Sequence, residues 1–340
     1  MKRGQQLIAI VLAMSLSLLA IPAAKALPES AEEYLVRLAT GTLYIPYTAL
    51  GRDKPHAEPE KAPAVLTDEE ERLPEEGKDS QEVAIPQNAI AVQAVNLSRL
   101  EVTDTPALLL SNETKFAANL TALSKKDIDK KRGAVLIIHT HGTESYLPDG
   151  VEYYTEDEDF RSTDRKENVV AVGAAFADVL RDEGIQVYHD TTMYDENTFN
   201  NAYTASRTAC RQWLKDHPEI SYIIDIHRDA VTDGDGKGKK TICTVNSEEI
   251  AQVMLVIGTN EAGANHPCWE KNLTLAVKYQ ELLNAYPTFA RPIYLRRASF
   301  NQQLSSGSML LEVGSAANTI TEAKAAARLA AERFALLYWS

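Results

Sequence analysis

Three short apolar runs, each ending on a metal-type side chain, constrain this chain more than any other feature. Val135-Leu-Ile-Ile leads into His139-Thr-His141, Tyr222-Ile-Ile-Asp-Ile into His227-Arg-Asp-Ala230, and Met309-Leu-Leu into Glu312-Val-Gly-Ser315. Each run is rich in Ile, Leu or Val and bounded by polar residues, the pattern of a buried strand in a parallel sheet. In open α/β sheets the carboxyl ends of the strands point into the crevice where ligands bind. Two histidines and a carboxylate delivered there suit a zinc centre with a nearby acid/base. One histidine at a strand end is ordinarily a hydrogen-bonded part of the scaffold. Three converging ends on one chain favour a site.

The 340 residues exceed one typical domain, but part of the chain does not read as domain. Met1-Lys-Arg-Gly4 is basic, Leu7 to Leu19 is almost uninterruptedly apolar, and Ala24-Lys-Ala26 offers small residues at signal-peptidase spacing. Residues 1–26 therefore read as a secretory signal. Extended to Ala24, the apolar stretch approaches the shortest length that spans a bilayer, so a membrane anchor is the alternative. Both readings place the body outside the cytoplasmic membrane, anchored or secreted.

Residues 27–87 read as a mostly disordered linker, with one short helix at Ala31 to Leu38 and then Pro55, Pro59, Pro63 and Pro74 among many Glu and Lys. Lys61 to Glu82 is charged and nearly free of large apolar residues, too poor in burial to order itself. Residues 88–132 regain alternation, as in Ala89-Ile-Ala-Val-Gln-Ala-Val95, and form a small lead-in to a domain at 133–340. Limited proteolysis is expected to cut Lys61 to Glu82 first and leave Gly133 to Ser340 as a stable core. A resistant 61–82 segment would contradict the boundary.

From Gly133 onward, apolar strands alternate with amphipathic helices. Helices are expected at Glu167 to Glu183, Asn201 to His217, Asn272 to Ala285 and Thr321 to Tyr338. Strands are expected at Ile185 to Tyr188, Arg291 to Arg296, and at Thr241 to Val245 and Met254 to Gly258 on either side of a polar turn. The fold class is α/β, a mixed, mostly parallel sheet with helices on both faces. Asp233-Gly-Asp-Gly-Lys-Gly238 lacks the terminal Glu of a calcium loop and reads as a Gly-rich hairpin turn. His189, His217 and His266 sit at element ends without partners at ligand spacing and are expected as surface or capping residues.

A net charge of −13 argues against nucleic acid, which needs a basic face. Cys210, Cys243 and Cys268 fit neither a disulfide framework nor a paired-cysteine zinc site. No nucleophile elbow surrounds Ser305 to Ser308, which leaves little for a serine hydrolase reading.

The ordered motifs His139-Thr-His-Gly-Thr-Glu-Ser-Tyr146, Asp225-Ile-His-Arg-Asp-Ala230 and Leu311-Glu-Val-Gly-Ser315 resemble the stage II sporulation protein P family. That family lies within the wider group of zinc-dependent N-acetylmuramoyl-L-alanine amidases. Leu110-Ser-Asn-Glu-Thr-Lys-Phe116 is similar to the segment preceding the family's catalytic domain, and the resemblance runs over roughly residues 86 to 340. It implies a zinc amidase-like fold, a bound Zn2+, and a peptidoglycan hydrolase of sporulation engulfment. The implied activity is cleavage of the N-acetylmuramoyl-L-alanine bond, with endopeptidase action on cross-links. Implied partners are a lytic transglycosylase and membrane-anchored engulfment proteins, at the outer face of the cell membrane or the sporulation septum.

Carried onto this sequence, the resemblance makes His141, Glu167 and His227 the metal ligands. His141 precedes Gly142 as the first ligand does in that group, although strand alternation would put His139 on the same face and keeps it open as the alternative. Glu167 opens a helix beside Asn168, with Glu144 the alternative carboxylate. Glu312 matches the catalytic Glu. Arg228 would stabilise an oxyanion or hold a substrate carboxylate, unless it is taken up by an ion pair with Asp225 or Asp229. A different class remains: a wall-binding scaffold with a degenerate metal site. Retention of His141, Glu167, His227 and Glu312 together speaks against it.

Overall fold

The computed structural model describes residues 85–97, 108–128 and 132–340. The 1–26 export segment, the Ala31 to Leu38 helix and the Lys61 to Glu82 linker lie outside the described residues. The lead-in supplies three short strands, β1 (Ile90–Ala91), β2 (Gln93–Val95) and β3 (Leu110–Asn112), and helix α1 (Leu120–Ser124). The first site-bearing strand is β4 (Ala134–Ile138), followed by β5 (Tyr153–Tyr154), α2 (Val169–Asp182), β6 (Val187–His189) and α3 (Ala202–Asp216). Then come β7 (Ile220–Asp229), β8 (Lys239–Val245), β9 (Glu248–Ala251), β10 (Val253–Gly258) and α4 (Trp269–Leu283). The chain closes with β11 (Ile293–Arg296), β12 (Ser308–Ser315) and α5 (Ile320–Trp339).

Seven strands form the central sheet in the order β3-β11-β10-β12-β7-β4-β6. Every neighbouring pair is parallel except β10 with β12. The expected mixed, mostly parallel α/β architecture is therefore present. Five consecutive buried residues in β4 and six in β10 explain why these strands read as continuous apolar runs: both faces are covered. On one face Phe176 of α2, Tyr279 of α4 and Phe334 of α5 join Val135, Ile137, Ile224 and Leu311 in the main core. On the other, Cys210, Trp213 and Leu214 of α3 pack on Leu136, Ile138 and Ile223.

Local chemistry fixes the helix starts. The Asn168 side chain accepts from Val170 N, and at α5 Thr319 and Glu322 form a reciprocal capping box. Inside α2, a Cβ on Gly173 would meet His139 Cε1 at 2.4 Å and Nε2 at 2.5 Å, so only glycine lets the helix sit this close to the end of β4. Gly173→Ala is expected to cost about 1–3 kcal/mol through forced repacking. An unchanged urea midpoint would contradict that close approach.

One stretch differs from its sequence reading. The polar turn after β8 is tight, with positive φ at Asn246 (50°) and Ser247 (70°), and returns at once into β9 in a two-residue hairpin that pairs Val245 with Glu248. β9 was not anticipated because its apolar content is only Ile250 and Ala251. The strands β2, β8 and β9 form a separate three-stranded sheet. Asp233 to Gly238 is the expected hairpin turn, closed by an antiparallel bridge between Thr232 and Gly238. The three cysteines are free. No helix among the described residues is long and apolar enough to cross a membrane.

Candidate metal centre

The parallel strands β4, β7 and β12 bring their carboxyl ends together, and register does the fine placement. Glu312 pairs with His227 across β12 and β7, and Ile138 with Asp225 across β4 and β7. Paired residues share a sheet face, so Ile223, Asp225, His227 and Glu312 all point to the α3 side.

Past Ile138 the strand ends and the chain turns: His139 still falls on the α2 face with Val135 and Ile137, and His141 departs from the alternation. Fully buried His139 points away, its Nδ1 3.1 Å from the Ile226 carbonyl oxygen and its Nε2 2.9 Å from His189 Nε2. Burial lowers the pKa of His139 to about 4 and that of His189 to about 3. His141 instead faces His227, with ring centroids 5.4 Å apart. His189 is thus a partner of His139 and not a surface residue. His266 is also buried, its Nδ1 3.6 Å from Cys268 Sγ, whereas His217 caps α3 as expected.

Two carboxylates flank His227. Asp225 Oδ1 lies 2.9 Å from Nε2, and Glu144 Oε2 lies 3.3 Å from Nδ1 and accepts from Arg228 N at 3.2 Å. The Asp225 contact is close but poorly aligned, and Nε2 has no hydrogen-bond partner. Burial alone would lower the His227 pKa, but Asp225 and Glu144 hold it well above the ordinary histidine range. Burial would likewise raise Glu144, yet the hydrogen bond and charge of His227, with Arg228 and His141, hold it below the usual carboxylate range. Asp225 also accepts from Thr140 N at 2.9 Å and Thr140 Oγ1 at 2.6 Å, tying β7 to the turn after β4.

The turn that carries Glu144 is anchored on both sides. Tyr146 Oη donates to the Val313 carbonyl at 2.9 Å, and Arg228 donates from Nε to Ser145 O at 3.1 Å and from Nη2 to Phe160 O at 2.8 Å. The buried Arg228 guanidinium is therefore spent on backbone carbonyls, and neither Asp225 nor Asp229 is its ion-pair partner. Asp229 pairs with Arg291 at 2.8 Å.

Glu167 is exposed; its Oε2 accepts from Ser162 Oγ at 3.2 Å, and it makes no ion pair with a described histidine. Of the two candidate carboxylates, Glu144 is the one gathered with His141 and His227. Its place in an extended turn gave no periodic signal, whereas Glu167 drew attention by opening a helix.

Glu312 presents a buried Oε2 without a hydrogen-bond partner. Burial, then Asp229, raise its pKa to about 8 against the opposing pull of His227 and Arg291. Three further residues border His141: Asp195 at 3.8 Å from its Nδ1, Phe199 stacked on its ring, and Tyr203 edge-on. Sequence reasoning missed them: Asp195 and Phe199 lie in 191–199, which carries neither periodicity nor a motif, and Tyr203 sits unmarked in the first turn of α3. Alternation along β7 puts Asp225 beside His227, a signal the sequence carries although the sequence reading weighed Asp225 only as an ion-pair partner of Arg228. Among the described residues, no three metal-type side chains stand at metal-holding spacing.

A family model described as stage II sporulation protein P matches residues 46–335. The stage II sporulation protein P of Bacillus subtilis (strain 168) is 30% identical over 223 residues, covering 62% of this chain and 52% of that one. The chain thus spans about half the length of this curated relative. Among solved structures, the N-acetylmuramoyl-L-alanine amidase AmiC2 of Nostoc punctiforme is similar at 13% identity and a TM-score of 0.31, over 60% of this chain and 94% of that one. The N-acetylmuramyl-L-alanine amidase Ami1 from Mycobacterium smegmatis is similar at 11% identity and a TM-score of 0.35, over 62% and 99%. With its family model matched over most of its length, the chain belongs to the stage II sporulation protein P family.

Proposed function

We propose that this protein is a zinc-dependent peptidoglycan hydrolase that cleaves the N-acetylmuramoyl-L-alanine bond, with His141, His227 and Glu144 holding the metal and Glu312 moving the proton. The observation that carries this reading is His227, held between Glu144 and Asp225 and opposite His141 at the ends of parallel strands. Two histidines and one carboxylate are a recognised catalytic zinc set. The donor set fits that group: the imidazoles of His141 and His227 face each other with ring centroids 5.4 Å apart, Glu144 stands at His227 Nδ1, and the carboxylates around His227 favour a positive charge among them. Glu144 takes the place that the helix-opening Glu167 had in the sequence reading, because Glu144 is buried beside His227 and Glu167 is exposed.

When bound, zinc acts as a Lewis acid and brings the pKa of its water to about 7. Glu312, the register partner of His227, accepts a proton from the attacking water and returns it to the leaving amine. Asp225 and Thr140 hold His227 and the β4 turn in place, and Arg228 fixes the Glu144 turn through Ser145 and Phe160. Arg228 therefore serves as a clamp in place of an oxyanion donor.

Family membership supports peptidoglycan as the substrate and placement at the outer face of the cell membrane or sporulation septum. A lytic transglycosylase and membrane-anchored engulfment proteins are the proposed partners. Mass spectrometry of digested sacculi tests the bond. Intact free stem peptides support the amidase reading, cleaved cross-bridges assign the endopeptidase reading, and undigested sacculi with zinc present favour the wall-binding scaffold.

A further inference from the structure

The segment between β6 and α3 covers the site turn more tightly than an ordinary connection requires. A Cβ on Gly142 would meet Met193 Cγ at 2.7 Å and Cα at 2.8 Å, so the backbones of 142 and 193 are in close contact. Two residues on, the Asp195 side chain is fully enclosed, at 0% exposure. It accepts from Thr143 N at 3.0 Å, Thr143 Oγ1 at 2.7 Å and Arg161 Nη1 at 2.6 Å. A carboxylate so well supplied with donors is held in one position.

Its Oδ2 stands 3.8 Å from His141 Nδ1, a buried nitrogen with no hydrogen-bond partner. That separation is too long for a hydrogen bond, and a shift of under about 1 Å closes it. Phe199 stacks on the imidazole with centroids 4.2 Å apart and planes 11° apart, and the Arg161 guanidinium lies over Phe199 at 4.8 Å. Stacking resists tilting of the ring but permits sliding within its plane.

We propose that Asp195 is a positioning residue for the metal centre: it accepts a hydrogen bond from His141 Nδ1–H, fixes the tautomer, and commits Nε2 to the metal. Asp225 lies in the same way against Nε2 of His227, whose Nδ1 faces Glu144. Each histidine then has one nitrogen turned to a carboxylate from outside the ligand set. Ligating histidines commonly donate their second N–H to such a group, which orients the ring and raises its basicity. Thr143 alone holds both Asp195 oxygens, Oδ1 from its backbone N–H and Oδ2 from its hydroxyl, so the carboxylate stays aimed at His141 without the Arg161 ion pair.

This inference rests on the zinc reading, and the test separates the two. Zinc affinity of the full-length chain is measured by chelator competition for wild type, Asp195→Asn and Arg161→Gln, beside the melting temperature of each metal-free protein. Asp195→Asn is expected to bind zinc about 10–100-fold more weakly. Arg161→Gln breaks the same ion pair but leaves the carboxylate for His141, and is expected to bind close to wild type. Equal affinity for Asp195→Asn and wild type overturns the proposal, whatever happens to the melting temperature. An equal loss in both variants also overturns it, because the effect then belongs to the ion pair.

If Asp195→Asn does not fold, nitrogen NMR of histidine-labelled, zinc-loaded wild type decides instead, with His141→Gln to assign the signal. Protonated Nδ1 and metal-bound Nε2 are expected; the opposite tautomer overturns the assignment. A wild-type chain that takes up no zinc overturns the zinc reading and this one together.

Discussion

Glu312→Gln is expected to keep its zinc and its grip on sacculi while turning over at least about 100-fold more slowly, the usual worth of general acid–base catalysis. Glutamine preserves the size of the side chain but cannot accept the water's proton. The substitution also removes a carboxyl already raised to about 8, so the fold loses little ionic stabilisation. Its position supports a role apart from ligation: Glu312 lies on β12 beside His227 and makes no ion pair with either site histidine. Zinc content and sacculus hydrolysis, measured on the same preparation, check it. If Glu312→Gln loses zinc, Glu312 is a ligand and the base lies elsewhere.

His227→Ala carries the other large effect. It removes a proposed ligand and leaves Glu144 and Asp225 without the cation between them. Breaking a buried pair by deleting one partner typically costs about 3–5 kcal/mol. Loss of hydrolysis, loss of zinc and a lower melting temperature of the metal-free protein are expected together. The carboxylate pair separates the ligands further. Glu144→Gln is expected to bind zinc poorly, since a neutral amide is a weak ligand, whereas Glu167→Gln is expected to behave as wild type. A Glu167→Gln variant that loses its metal while Glu144→Gln retains it would restore the sequence-based assignment.

What was legible in the sequence was whatever followed a period. The runs 135–138, 222–226 and 309–311 marked three site strands because burial on both faces leaves an apolar signature, interrupted only by Asp225. Helix α2 was visible from Val170, Ala174, Ala177 and Leu180 at helical spacing, and it begins within two residues of its expected start. Choices made beyond the strand ends were not legible. Alternation could not separate His139 from His141, because the turn after Ile138 sends one toward His189 and the other toward His227. Glu144 and Asp195 lie in turns whose shape is set by distant partners, Arg228 with Ser145 and Phe160 in one case, Thr143 and Arg161 in the other. Such contacts depend on the assembled fold and leave no local trace.

Metal analysis of the purified full-length chain, beside a His141→Ala/His227→Ala double variant, tests the zinc centre most directly. One zinc per wild-type chain and none in the double variant is the expected result. A wild type without stoichiometric zinc after mild purification, or a double variant that keeps it, would contradict the assignment of this site.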